Sequence, residues 1–204
     1  MERKTRYLVL AIALGIMIAG CSKPPTQDMD AASASIKDLT NAGAEKYAPE
    51  DLKKLNDQVA AANDEIKSQE GKYFKSYDKA KEMLTKVKAD ADALKPTLAA
   101  KKEEAKKTAT AAQDAAKTAV DEAKNLLVKA PVGKESRADI EALKADVKGL
   151  DEGLAEVQNL MTSEDYRTAT DKAKVISDKA AGVSGQVKQA MEKVAAAKKG
   201  KSKK

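Results

Sequence analysis

From Met29 onward, apolar residues recur three and four positions apart, the period of one face of an α-helix. Met29, Ala32, Ile36 and Leu39 make the first such face, and Asn41-Ala42-Gly43 ends it, with Gly43 suited to a left-handed cap. A second helix starts at Tyr47-Ala48-Pro49-Glu50-Asp51-Leu52. Proline at the first helical position gives up no needed donor, and Glu50 and Asp51 favour the positive end of the helix dipole. Leu52, Leu55, Val59, Ala62 and Ile66 form its face, and Gly71 marks a turn. Tyr73, Tyr77, Ala80, Leu84, Val87, Ala91 and Leu94 form the next face, which should fold back on the second as an antiparallel pair. Leu94 and Leu98 stay in phase across Pro96, so a kinked but nearly continuous helix is expected to about Lys129. Its second half carries Ala105, Ala109, Ala112, Ala116, Ala119 and Ala123, then Leu126. Alanine lets helices approach closely but buries little area.

Pro131-Val132-Gly133 reads as a break. Beyond it, Ile140, Leu143, Val147, Leu150, Leu154, Val157 and Met161 make the most apolar face of the chain. Thr162-Ser163-Glu164-Asp165 reads as a turn, with Thr162 placed to accept from the Asp165 amide as a helix cap. Tyr166, Ala169, Ala173, Ile176, Ala180, Val183, Val187, Ala190 and Val194 complete the last helix. The two hairpins look like a repeat. Leu52, Leu55 and Val59 match Ile140, Leu143 and Val147, while Tyr73 and Asp78-Lys79-Ala80-Lys81 match Tyr166 and Asp171-Lys172-Ala173-Lys174 after a five-residue insertion at the turn. The expected fold is all-α: an elongated antiparallel helical bundle of coiled-coil-like hairpins, duplicated. The first hairpin with its extension covers 28–130 and the second 134–197. A lysine-rich, disordered tail covers 198–204.

The start of the chain has a different pattern. Arg3, Lys4 and Arg6 precede an uncharged apolar run from Leu8 to Ala19, and Ile18-Ala19-Gly20-Cys21 closes it. A basic start, a short apolar core and small residues before a cut are the layout of a secretory signal peptide, here 1–20. The run falls short of the roughly 20 residues a membrane-spanning helix needs. Small residues followed at once by cysteine resemble the lipobox of bacterial lipoproteins. That resemblance implies diacylglyceryl transfer to the Cys21 thiol, cleavage before Cys21, and acylation of the new amino group, commonly as palmitate. Residues 21–27, with Pro24-Pro25, then form a lipidated flexible tether. Ser22 stands where aspartate would signal inner-membrane retention, which implies the outer membrane as destination.

Composition narrows the chemistry. The chain has no histidine, and Cys21 is its one cysteine. His/Cys metal sites, cysteine nucleophiles, Ser-His triads and disulfides are therefore not expected. No cofactor is expected beyond the lipid on Cys21. Glu50-Asp51, Glu103-Glu104, Asp151-Glu152 and Glu164-Asp165 are adjacent carboxylate pairs, but neighbours on a helix diverge around it, so they read as solvated faces and helix starts. The net charge is +6, and Lys198, Lys199, Lys201, Lys203 and Lys204 alone carry +5 of it. Those lysines are the candidate contact with an anionic surface: peptidoglycan, lipopolysaccharide phosphates or phospholipid. Export argues against nucleic acid as a partner.

Tyr47-Ala48-Pro49-Glu50-x-Leu followed by Gly71-x-Tyr73 resembles an uncharacterised family of bacterial envelope lipoproteins with a helical-hairpin domain. The similarity covers about Met29 to Leu94 and implies a lipidated cysteine and a periplasmic helical fold, with no known activity. The second hairpin lacks the Ala-Pro-Glu start. A lipid at one end, heptad helices and a final lysine, Lys204, are also similar to murein lipoproteins, whose terminal lysine is joined to peptidoglycan. The Tyr-Arg-Lys ending of that family is missing. The expected protein is not an enzyme. It is a structural or scaffolding lipoprotein of the outer membrane, facing the periplasm, with peptidoglycan, envelope proteins or a second copy of itself as partner. The competing expectation is a periplasmic binding module for a lipid or protein partner. Its apolar faces would need to be wide, and these are narrow.

Overall fold

The computed structural model describes residues 23–130 and 137–201. The described residues form helices α1 (Thr26–Asn41), α2 (Ala44–Tyr47), α3 (Pro49–Glu70), α4 (Asp78–Lys129), α5 (Arg137–Thr162) and α6 (Tyr166–Lys201), with no strand among them. The fold is an all-α bundle, as the periodicity predicts. It divides into two compact units, one through Ala99 and one from Ala100, so α4 contributes its first part to one and its second part to the other.

The boundary falls inside α4 and not at Pro131, which lies outside the described residues together with the rest of the expected break. Seam chemistry explains the difference. Ala109, Gln113, Ala116, Val120, Ala123 and Leu127 are all buried, and Gln113 reaches Gln158 of α5 at 2.9 Å. The second half of α4 is thus a full partner of the following hairpin. Pro96 sits within α4, with Leu94 and Leu98 buried on either side, so the helix does run through it.

The first unit is α1, α2, α3 and α4 to Ala99. Gly43 takes φ 95°, and a Cβ there would stand 3.3 Å from the Tyr47 ring. Glycine is therefore required both by the left-handed backbone and by the buried tyrosine beside it. Ala48 is buried before Pro49 opens α3 in its first turn. Two side-chain contacts set α3 antiparallel to α4: Gln58 Nε2 to Asp90 Oδ2 at 3.1 Å, and Lys79 Nζ to Glu65 Oε2 at 2.8 Å. Asp38, near the end of α1, acts on the charge of Lys95. Since α1 packs on α3 and ends level with α3's beginning, α1 also runs antiparallel to α3.

The second unit repeats that up-down-up order with the rest of α4, α5 and α6. Lys124 meets Asp151 at 2.7 Å and Lys102 meets Glu164 at 2.5 Å, which makes α4 and α5 antiparallel. Lys172 pairs with Glu156 across α5 and α6. The α5–α6 turn corrects the expected cap. Thr162 Oγ1 donates to the Gln158 carbonyl and does not receive the Asp165 amide. The Asp165 N–H instead donates to the Leu160 carbonyl, and the Glu164 N–H to that of Met161, with Glu164 at φ 57°. This is a Schellman ending with glutamate in the left-handed position. Asp165 then caps α6, its carboxylate accepting from the Thr168 N–H at 3.4 Å.

Both turns are followed by seams of the same spacing, but the register differs from that of the expected repeat. The buried residues after the first turn are Tyr77, Ala80, Leu84, Val87, Ala91, Leu94 and Leu98. After the second they are Tyr166, Ala169, Ala173, Ile176, Ala180, Val183 and Val187, at the same spacings throughout. Tyr166 therefore corresponds to Tyr77, and Tyr73 lies on no seam: it is 95% exposed, in the turn before α4. The shared Asp-Lys-Ala-Lys strings are a coincidence of composition. Alanine and lysine alternate so often on these helices that short identities carry little information about packing.

Candidate functional site

Cys21, expected to carry the lipid, and Ile18, Ala19 and Gly20, expected to form the lipobox before it, lie outside the described residues, as do Lys203 and Lys204. Lys198, Lys199 and Lys201 fall within α6, whose backbone remains helical to Lys201. The tail was expected to leave the helix at Lys198. Its first residues continue the helix because Ala195-Ala196-Ala197 and the lysines themselves are good helix formers.

The carboxylate pairs are placed as their spacing implies. Glu50 and Asp51 start α3, and Glu103, Glu104 and Glu152 are exposed. Asp151 and Glu164 are held by Lys124 and Lys102. No three His, Cys, Asp or Glu among the described residues converge as a metal site would require.

The resolved electrostatics favour charge throughout. A hydrogen bond from Lys79 lowers the Glu65 carboxyl below its ordinary value, and Lys86, Lys95 and Lys102 do the same for Asp90, Asp92 and Glu164. Asp92 and Asp151 in turn raise Lys95 and Lys124. A carboxyl with a lowered pKa contributes stability above its unfolded value, lost as pH falls through the folded value. A lysine with a raised pKa contributes stability below its unfolded value, lost as pH climbs through the folded one. With no histidine to titrate, the urea midpoint should be flat through neutrality and decline below the unfolded carboxyl values of 3.8 and 4.5. A second decline is expected only above 10.5. A midpoint that rises on acidification would contradict these pairs.

The structure adds a feature that helical periodicity overlooked. Tyr73 and Phe74 stand in the turn between α3 and α4, 95% and 84% exposed, with ring centroids 5.1 Å apart in an edge-on arrangement. Adjacent residues cannot share one helix face, so the sequence allows at most one of Tyr73 and Phe74 on a seam; that neither lies on one is set by where α4 begins.

Among the described residues no helix is long and apolar enough to cross a membrane. Comparison with protein-family models, with curated proteins and with solved structures finds no match to this chain.

Proposed function

We propose that the chain is a lipid-anchored cell-envelope protein with a structural or scaffolding role. The observation that carries this reading is Ile18-Ala19-Gly20-Cys21 at the end of an uncharged run, ahead of a chain whose helices have narrow apolar seams. Cys21 takes the lipid, the destination is the outer membrane, and the helices face the periplasm as a member of the envelope lipoprotein family that the Tyr-Ala-Pro-Glu segment resembles. Two or more acyl chains on one residue make attachment stable where a single chain gives only marginal binding. Residues Lys198 to Lys204 offer a basic end to peptidoglycan or another anionic surface. Narrow seams suit helix–helix contact, within the chain or with an envelope protein, better than enclosure of a lipid.

The anchor is tested by Cys21→Ala and cell fractionation. The unaltered chain is expected almost entirely in the membrane fraction and the variant in the soluble periplasm. A variant still in the membrane would remove the basis of this reading. Boiling-detergent preparation of sacculi, with and without residues 198–204, separates a covalent wall link from a purely ionic contact.

A further inference from the structure

The turn between α3 and α4 is longer than closing a hairpin requires. In the second unit Ser163-Glu164-Asp165 suffices to join α5 to α6, whereas the corresponding turn of the first unit runs from Gly71 to Tyr77. The longer turn is held from beneath. The Lys72 N–H donates to the Gln69 carbonyl at 3.1 Å, the Ser76 N–H to Gln69 Oε1 at 3.5 Å, and Tyr77 is buried. Lys79 on Glu65 ties the two helices just below. With its base fixed this way, the turn presents Tyr73 and Phe74 outward, flanked by exposed Lys72 and Lys75.

Nothing in the hairpin needs those two rings. The chain has five tyrosines and one phenylalanine, so this turn spends its sole phenylalanine on the surface. Aromatic rings prefer the headgroup layer of a bilayer, where the apolar body is sheltered and the rim stays wet. A lysine beside them keeps its ammonium group at lipid phosphates while its stem lies along apolar surface.

The topology points the turn toward the anchor. Since α1 and α4 both run antiparallel to α3, the start of α1, the end of α3 and the start of α4 share one end of the first unit. From Cys21 to Thr26 is five residues, which extend to at most about 18 Å.

We propose that the turn from Gly71 to Ser76 is a second membrane contact: Tyr73 and Phe74 enter the interface of an anionic bilayer, and Lys72 meets its phosphates. The inference rests on the lipid anchor at Cys21, which supplies the local concentration that two rings alone would lack. Together the two contacts fix the orientation of the first unit on the membrane, which a single point of attachment does not.

The chain has no tryptophan, so Phe74→Trp in the full chain is a unique reporter. The protein is reconstituted with vesicles of phosphatidylglycerol and phosphatidylethanolamine. Flotation reads the anchor, and indole emission reads the turn. The expected result is floating protein whose emission is shifted to shorter wavelength and quenched by lipids brominated near the headgroup. Lys72→Gln should lower the inserted-to-free ratio about fivefold. Floating protein with unshifted, unquenched emission overturns the inference and leaves the anchor standing. A shift without bromine quenching also overturns it, because the rings are then covered by protein. Failure to float overturns the anchor and this contact together.

Discussion

Tyr77→Ala should unfold the first unit far more readily than Tyr73→Ala, although both tyrosines sit at helical spacing in the same stretch of chain. Tyr77 is 1% exposed and begins the buried series that continues through Ala80, Leu84 and Val87. Truncating a buried aromatic ring removes its transfer free energy and leaves a cavity, at a cost of roughly 3–5 kcal/mol. The Lys81 N–H donates to the Tyr77 carbonyl, so the backbone there is helical in phase and cannot swing a neighbour into the gap. Tyr73, 95% exposed, should tolerate alanine to within about 0.5 kcal/mol. Urea unfolding of both variants checks this. Equal losses would restore Tyr73 to the seam and undo the register in which Tyr77 corresponds to Tyr166.

The second large effect is expected at Gly153 in α5. A Cβ there would lie 3.0 Å from Ile176 Cδ1 and 3.3 Å from its Cγ1. The Glu156–Lys172 ion pair lies one turn away on the same two helices. Gly153→Leu forces Ile176 off its rotamer or pushes α6 outward, and overpacking of this kind costs about 1–3 kcal/mol. Gly149 sits one turn earlier on the same helix with nothing within 4 Å of a Cβ. Gly149→Ala should therefore stabilise by about 0.5–1 kcal/mol through helix propensity alone. Opposite signs at two glycines of one helix would identify Gly153 as the point of closest approach to α6. A loss at both positions would mean that Gly149 faces a contact this structure does not contain.

A narrow seam explains why such local substitutions carry weight. Each helix buries one residue about every half heptad, and many of those residues are alanine: Ala80, Ala91, Ala109, Ala116, Ala123, Ala169, Ala173 and Ala180. Little apolar area is buried per turn, so the larger side chains Tyr77, Leu84, Val120, Ile140 and Val157 hold a disproportionate share of it. The cross-helix ion pairs are mostly exposed and set register more than stability.

The heptad-like spacing of apolar residues determined, without any tertiary information, that the chain is helical and most of the faces that are buried; in the second half of α4 the expected Ala112, Ala119 and Leu126 are only half-buried, and their neighbours Gln113, Val120 and Leu127 are buried in their place. Spacing is a local property, and a helix whose apolar residues align on one side has little choice about which side to bury. Gly43 and Pro49 were legible for the same reason, since each acts through its own backbone. The resemblance of Ile18-Ala19-Gly20-Cys21 to a lipobox is likewise a linear pattern, read without a fold.

Three things needed the tertiary structure. One is the unit boundary inside α4: a continuous helix carries no local mark where its packing partners change. Another is the turn chemistry at Thr162 and Asp165, where two residues could each have served as cap, and the α-left-handed conformation of Glu164 decided between them. The last is the fate of Tyr73. Spacing of four residues to Tyr77 placed it on the seam, but that inference holds only if the helix has already begun, and α4 begins at Asp78. Where a helix starts depends on how the turn before it closes against its partner, through Gln69, Ser76, Glu65 and Lys79 here, and those contacts join residues that periodicity along one strand of sequence does not relate.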